Sequence, residues 1–262
     1  MKISIVTPSF NQGEYIEETI KSVIGQNYPH LEYFVIDGGS TDNSTEIIKK
    51  YEKKISYWIS EPDKGQSDAV NKGLRKMSGD IIAYLNSDDT YLPQTFQIVS
   101  NYFENNPDCM VLAGGFYVID SNSNILYLVD YGSYCKKELQ QGLNRIGQHS
   151  VFWRKEVMSE VGYFREDLHY SMDFEYWLRI GQKFKFHFIY TPLASYRIHE
   201  NAKTHVYYSD QIKETKTITQ SYGFSSNRFL KVILDTRMRI IKWNSMLRSG
   251  YLIKHFIRKL GL

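Results

Sequence analysis

Cysteine is scarce in this chain, with two residues, Cys109 and Cys135, among 262. Two thiols in a sequence of this length make no disulfide framework. That excludes the small stapled folds of secreted proteins and points to a reducing compartment. Cys109 opens the apolar run Cys109-Met110-Val111-Leu112-Ala113 and reads as a small buried hydrophobe. No apolar run reaches the ~18 residues that a membrane-spanning helix needs. The first stretch, Met1-Lys2-Ile3-Ser4-Ile5-Val6-Thr7-Pro8, starts directly as a strand, with no signal peptide ahead of it. No Gly-x-Gly-x-x-Gly follows that strand and no Gly-Lys-Ser/Thr loop occurs, which disfavours dinucleotide redox chemistry and P-loop phosphoryl transfer. Internal repeats and low-complexity segments are missing as well.

What is present is a globular composition, 42% apolar and 23% charged, in a chain long enough for one large α/β domain with a short appendage. Tyrosine is abundant, at 21 residues. Its ring joins apolar area to a hydroxyl and suits sugar contacts and plain packing alike. The net charge of +3 hides an asymmetry. From Ser225 onward nine Lys/Arg stand against one Asp, a net of +8, which leaves −5 on the first 224 residues. An acidic body with a basic tail implies an anionic partner for the tail, and the body would repel nucleic acid.

Short apolar runs alternate with helical periodicity through the first 105 residues. Ile3–Thr7, Leu31–Ile36, Ile55–Ile59 and Ile81–Leu85 read as strands. Between and after them, Glu14–Gln26, the stretch from Ser40-Thr41-Asp42 to Tyr51, Ser67–Met77 and Pro93–Phe103 read as helices. This alternation predicts a mostly parallel, Rossmann-like α/β sheet flanked by helices. The second half differs: Met110–Ile119 and Ile125–Val129 flank the turn Asp120-Ser121-Asn122-Ser123-Asn124 as a hairpin. A strand at His149–Trp153, helices near Lys155–Val161 and Asp173–Ile180, and a strand near Phe186–Ile189 follow. The organisation expected is a domain over residues 1–220, divided into 1–105 and 106–220, and a basic amphipathic helical tail over 221–262.

Right-handed crossovers put all strand-to-helix loops of such a sheet along one edge, where ligands bind. Those loops are polar and mostly acidic: Pro8-Ser9-Phe10-Asn11, Asp37, Glu61-Pro62-Asp63-Lys64-Gly65-Gln66-Ser67-Asp68 and Asn86-Ser87-Asp88-Asp89. One carboxylate at a strand end is ordinarily a helix cap. Four such loops meet on one edge, and the carboxylates of three of them repel one another unless a cation joins them. Asp88-Asp89 is the sharpest element, because Mg²⁺ typically takes one or two carboxylates plus substrate phosphates; capping of the next helix is the plainer alternative.

Six segments, in order, resemble family 2 glycosyltransferases of the GT-A fold, over about Ile3 to His199. They are Ser4–Asn11, Val35–Asp42, Glu61–Gly65 with Asp68–Gly73, Gly79–Asp89, Met172–Arg179 and Tyr196–His199. The wording is similar to the branch that builds O-antigens and related surface polysaccharides. The resemblance implies that Asp37 contacts the uracil or ribose of a UDP-sugar, with Pro8 and Phe10 lining the base. Asp63 and Asp68 would lie near the nucleotide or donor sugar. Asn86-Ser87-Asp88 stands where the family has Asp-x-Asp, so Asn86 replaces the first carboxylate, and Asp88 with Asp89 beside it would hold Mn²⁺ or Mg²⁺. His199 matches a position able to reach the metal or the pyrophosphate. Asp173 matches the catalytic base, with Met172 in place of the usual Glu; a helix cap is its plainer role.

The implied reaction is inverting transfer to a glycan acceptor, expected to be lipid-linked. Beyond Ser225, Arg228, Lys231, Arg239 and Lys242 share one arc of a helical wheel and Phe229, Val232, Ile233, Ile240, Trp243 and Leu247 another. Such a helix suits the inner-membrane surface, which makes the protein cytoplasmic and peripheral on the membrane's cytoplasmic face; packing on the domain or on a second copy in a homodimer is the alternative. The rival functions are a sugar nucleotidyltransferase, which would need a Gly-rich basic loop after the first strand, and a non-catalytic sugar-binding module, against which Asp88 and Asp173 argue.

Overall fold

The computed structural model describes residues 1–130 and 136–224. Cys135 and the basic stretch from Ser225 onward, with the tail read into it, lie outside the described residues.

Strand β1 (Ile3–Ser9) is buried along its whole length, as an apolar run with only Ser4, Thr7 and Ser9 as small polar breaks requires of a central parallel strand. It pairs in parallel with β2 (Leu31–Asp37) on one side, and β3 (Tyr57–Ser60) extends the parallel set beyond β2. The helices between them are α1 (Ile16–Ile24), α2 (Ser44–Lys50) and α3 (Gln66–Leu74). On α1 the buried positions are Ile16, Thr19, Ile20 and Val23, one face of a helix. After β3 the chain returns past β1 to lay β4 (Ile81–Tyr84) on its other side, again in parallel. The order β3-β2-β1-β4 reverses direction at β1, so the loops leaving β1 and β4 part there and open a crevice.

From β4 onward the sheet is mixed. β8 (Val151–Arg154) pairs antiparallel with β4 and with β6 (Val111–Ile119). β6 forms the expected hairpin with β7 (Ile125–Val129) and lies parallel to β9 (Phe186–Arg197), and β9 carries the two-residue β5 (Thr90–Tyr91) on its far edge. The remaining helices are α4 (Thr95–Asn105), α5 (Lys136–Gln140), α6 (Glu156–Val161), α7 (Met172–Lys183), α8 (Lys203–Val206) and α9 (Tyr208–Ser221). Trp153 on β8 packs edge-on against Tyr176 and Trp177 of α7, both at 5.8 Å, which clamps α7 to the sheet.

Three local expectations shift. The last strand runs past Pro192 to Arg197 instead of stopping near Ile189, because Pro192 sits opposite Gly115, where the β6–β9 register slips and no ladder N–H is needed. α7 begins at Met172 with Ser171 in the cap position, so Asp173 lies inside the first turn and not at the cap. Asp42 does not cap α2 in the simple sense. Its carboxylate takes the N–H groups of Ser44 (3.0 Å) and Gly13 (2.8 Å), tying α2 to the loop after β1.

Candidate active site

A cleft of about 810 Å³ opens at the carboxyl ends of β1 and β4, bounded opposite by the segment entering β8, the start of α7, and α8–α9. Pro8, Phe10, Asp63, Asn86, Ser87 and Asp88 line it from the first half, and Asp173 from the second. The structure thus brings together residues more than 80 positions apart in sequence through the β4–β8 junction.

Asp37 and Asp68 do not line the cleft. Asp37 is fully buried, and its carboxylate accepts from Gly39 N (3.2 Å), Ser40 N (2.9 Å), Ser40 Oγ (2.5 Å) and Ser60 Oγ (2.7 Å). Four donors saturate a carboxylate, so here the side chain braces the β2 and β3 loops. Asp68 accepts from Lys64 N (3.1 Å) and pairs with Lys72 (3.5 Å), holding the loop ahead of α3. The cleft wall that these braces support includes Gly38, where an added Cβ would stand 2.5 Å from the Asp63 carboxylate. Asp63 in turn accepts from Gly65 N (2.8 Å), and Asn86 accepts from Gln66 Nε2 (2.7 Å) at the start of α3.

Of the three metal candidates, Asp88 lines the cleft and His199 is buried directly behind it. Asp88 Oδ2 lies 3.1 Å from His199 Nε2, and the His199 ring packs against Tyr15 at 4.7 Å. Asp89 points the other way. It is fully buried, its Oδ1 accepts from Arg197 N (3.0 Å), and burial followed by the Asp88 charge pushes its carboxyl well above the usual range. Sequence adjacency suggested a shared metal role, but neighbouring residues in a tight turn face opposite ways, and only Asp88 faces the cleft. The buried Arg197 guanidinium locks this turn, donating to Asp88 O (2.8 Å), Ser123 Oγ (2.9 Å) and Glu18 Oε2 (2.6 Å).

Asp88 offers a carboxylate, which suits Mg²⁺ or Mn²⁺, and His199 an imidazole, which suits softer divalent ions; in this structure the two are hydrogen-bonded to each other at 3.1 Å. Among the described residues no group of three or more His, Cys, Asp or Glu side chains is placed to hold a metal. The fit is therefore to an ion completed by substrate oxygens and water, not to a closed protein cage.

Asp173 is half-buried, and its Oδ2 accepts from Asn144 Nδ2 (3.2 Å). Burial raises its pKa against the opposing pull of the Phe174 N–H. Lys203, also on the cleft, is pulled down by desolvation, while the Glu214, Asp63 and Asp173 carboxylates work the other way. Sequence reasoning missed Lys203, Asn144, Gln148 and His149. Gln148 donates to Tyr84 O (2.6 Å), and its Oε1 has no partner among the described residues. Burial pushes the His149 imidazole down to about 3, keeping it neutral between Tyr196 (5.3 Å, stacked) and Phe116 (4.2 Å, edge-on). A signal was available for these two, since a polar pair enters an otherwise apolar strand.

Likeness to known proteins agrees with this geometry. The chain is 27% identical to an uncharacterized glycosyltransferase of Rickettsia typhi over 248 residues, 92% of this chain and 75% of the relative. It is 30% identical to one of Methanocaldococcus jannaschii, over 75% of this chain and 70% of the relative. A shorter match of 92 residues, 39% identical and covering 34% of this chain and 36% of the relative, is to Bacillus subtilis TuaG, a glycosyltransferase named for teichuronic acid biosynthesis. Among solved structures, Staphylococcus aureus TarS with UDP-GlcNAc superposes with a TM-score of 0.69 at 18% identity, over 83% of this chain and 65% of that one. The mannosyltransferase PcManGT of Pyrobaculum calidifontis, solved with GDP-Man and Mn²⁺, superposes at 0.60 and 13% identity, over 99% of this chain and 87% of that one. These two show a shared fold, of which this chain spans less than two thirds in TarS. Residues 4–162 match the family model described as Glycosyl transferase family 2, and the chain belongs to that family.

Proposed function

We propose that this protein is an inverting, metal-dependent glycosyltransferase that moves a sugar from a UDP-sugar to a hydroxyl of a lipid-linked glycan during assembly of a surface polysaccharide of the O-antigen or capsule type. The observation that carries this reading is the meeting of two acidic groups on one cleft from opposite halves of the chain. Asp88 stands at the carboxyl edge of the parallel strands and Asp173 at the start of α7. The UDP-GlcNAc in TarS supports a uridine donor, the name of TuaG a surface polysaccharide, and the Mn²⁺ in PcManGT a divalent ion.

In this reading Pro8 and Phe10 flank the base, and Asp63, Asn86 and Ser87 shape the wall beside the diphosphate and sugar. Asp37 and Asp68 act one step back, by holding the loops that carry those contacts. Asp88 and His199 would hold Mn²⁺ or Mg²⁺, which would supply Lewis-acid stabilisation of the charge on the departing diphosphate. Asp173, its pKa raised by burial, accepts the proton of the attacking hydroxyl. Attack from the face opposite the leaving group inverts the anomeric centre. No described helix is long and apolar enough to cross a membrane. The basic stretch from Ser225 supports a peripheral place on the cytoplasmic membrane face.

A thermal-shift panel of UDP, GDP and their sugars, each with Mn²⁺ and with a chelator, tests the donor and the metal. Saturation at 100 times Kd adds about 2.7 kcal/mol, so UDP with Mn²⁺ should stand out; equal shifts with the chelator sink the metal role. Asp173→Asn should then lower transfer about 10²- to 10⁴-fold and leave UDP affinity unchanged, since the lost interaction belongs to the acceptor and the transition state. Near-parental transfer would remove Asp173 from the chemistry.

A further inference from the structure

α9 grips the loop that carries Asp173 through one helical face. Gln211, Glu214 and Thr215, spaced as i, i+3 and i+4, all turn toward residues 169–171. Glu214 accepts from three consecutive backbone N–H groups, those of His169 (2.9 Å), Tyr170 (2.7 Å) and Ser171 (2.6 Å). Gln211 Nε2 donates to Tyr170 O (3.2 Å), while Ser171 Oγ donates to Gln211 O (3.2 Å) and shares a hydrogen bond with Thr215 Oγ1 (2.9 Å). Asp173 begins two residues beyond this anchored segment, in the first turn of α7. Its own Asn144 contact, at 3.2 Å, is a single side-chain bond from a loop.

We propose that Glu214 is the positioning residue of Asp173: its carboxylate holds the backbone at 169–171, and so the first turn of α7, in the place where Asp173 reaches the acceptor hydroxyl. This rests on the reading of Asp173 as the base. A charge-assisted acceptor on three N–H groups is a strong restraint, and it comes from a helix outside the sheet. The charge has a second effect. Asp173 is faced by Glu214 from α9, Lys203 from α8, Tyr84 from β4 and Asn144. Among these, Glu214 adds to burial in disfavouring the ionised base.

The experiment uses the full chain with UDP-GlcNAc, or the UDP-sugar the ligand panel selects, and follows UDP release. Parent, Glu214→Ala, Glu214→Gln, Asp173→Asn and the Glu214→Ala/Asp173→Asn double variant are compared per folded molecule. Glu214→Ala should lower kcat about 10- to 100-fold, the cost of displacing a reacting group by about an ångström, with UDP affinity unchanged. Glu214→Gln keeps one acceptor oxygen for the Tyr170 and Ser171 N–H groups but turns its NH₂ toward the His169 N–H, so it should restore part of the rate. It loses the charge, so the acidic limb of its kcat/KM profile should move to lower pH. On the Asp173→Asn background Glu214→Ala should cost nothing more, because the two act as one unit.

A parental kcat in Glu214→Ala overturns the inference, as do a joint loss of UDP affinity and a further loss in the double variant. Should Glu214→Ala fail to fold, an unmoved acidic limb in Glu214→Gln overturns it instead. Parental release by Asp173→Asn would sink the base reading and this inference with it. An inactive Asp173→Asn beside a parental Glu214→Ala would sink this inference alone.

Discussion

The two walls of the cleft treat their carboxylates in opposite ways. In the first half Asp88 faces the cleft, while the acids set behind its wall are consumed by hydrogen bonds within the loops. Asp37 is saturated by four donors, Asp42 links two loops, and Asp68 is divided between a backbone N–H and Lys72. In the second half Asp173 accepts one side-chain bond and is raised by burial, and Gln148 and His149 keep polar atoms without partners among the described residues. The loops behind the first wall form a braced frame of hydrogen bonds. The second keeps its polar groups in a costly state, as sites of chemistry commonly do.

Removing the braced Asp37 behind the first wall and Asp173 from the second should therefore change stability in opposite directions. The largest effect is expected at Asp37→Ala. It leaves several buried N–H and hydroxyl donors unmatched, at about 1–3 kcal/mol for each that finds no water. A net loss of about 3 kcal/mol lowers Tm by about 6–12 °C in a chain of this size. Weaker UDP binding should follow only as a consequence of the disturbed loop. A variant with parental Tm and lost UDP affinity would reverse the comparison and make Asp37 a direct ligand.

A smaller change of the opposite sign is expected at Asp173→Asn. The folded pKa is raised, so the native state binds the proton more tightly than the unfolded chain does. Native stability then falls as pH rises from the ordinary carboxyl pKa to the raised one, and the penalty persists above it. The amide carries no such penalty. At pH 7 the Tm of Asp173→Asn should exceed that of the parent, and the gap should close as pH falls through the ordinary carboxylate range. A gap that stays constant with pH would show that ionisation of Asp173 costs the fold nothing.

The smallest effect is expected at Lys213→Ala. Lys213 neighbours Glu214 on α9, but its side chain is 75% exposed and, among the described residues, pairs with the nearby Asp210. Solvent screens so exposed a pair, so Tm should move little and UDP release not at all. A loss of rate here would mean that α9 acts through its general stability and not through the face bearing Glu214.

Much of the frame was legible along the chain. Ile3, Ile5 and Val6 mark a central strand, Ile16, Ile20 and Val23 mark the buried stripe of α1, and the β6–β7 hairpin follows from its turn of Asp, Ser and Asn. These are local signals, because period and turn chemistry act over a few residues. β5 was not legible, since two residues carry no period. α9 was missed because it buries little beyond Ile218 and Thr219 and its working face is polar. At the site, Asp88 and Asp173 could be named from motif order, but the inward turn of Asp89 could not.

The sequence by itself determined the family, the alternating elements of the first half and the identity of the groups able to bind a cation or accept a proton. Those follow from residue type, spacing and motif order, which are properties of the chain. Only the tertiary structure decided which groups remain free to act. Asp37 gains a distant donor in Ser60 besides those of its own turn, Asp68 is held by Lys64 and Lys72 of its own segment, and Asp89 is turned inward by the Arg197 backbone. Asp173 and Asp88 face one space because β4 pairs with β8. A carboxylate's role depends on how many donors reach it and how much water is excluded, and for Asp88, Asp89 and Asp173 both are set by parts of the chain far away in sequence.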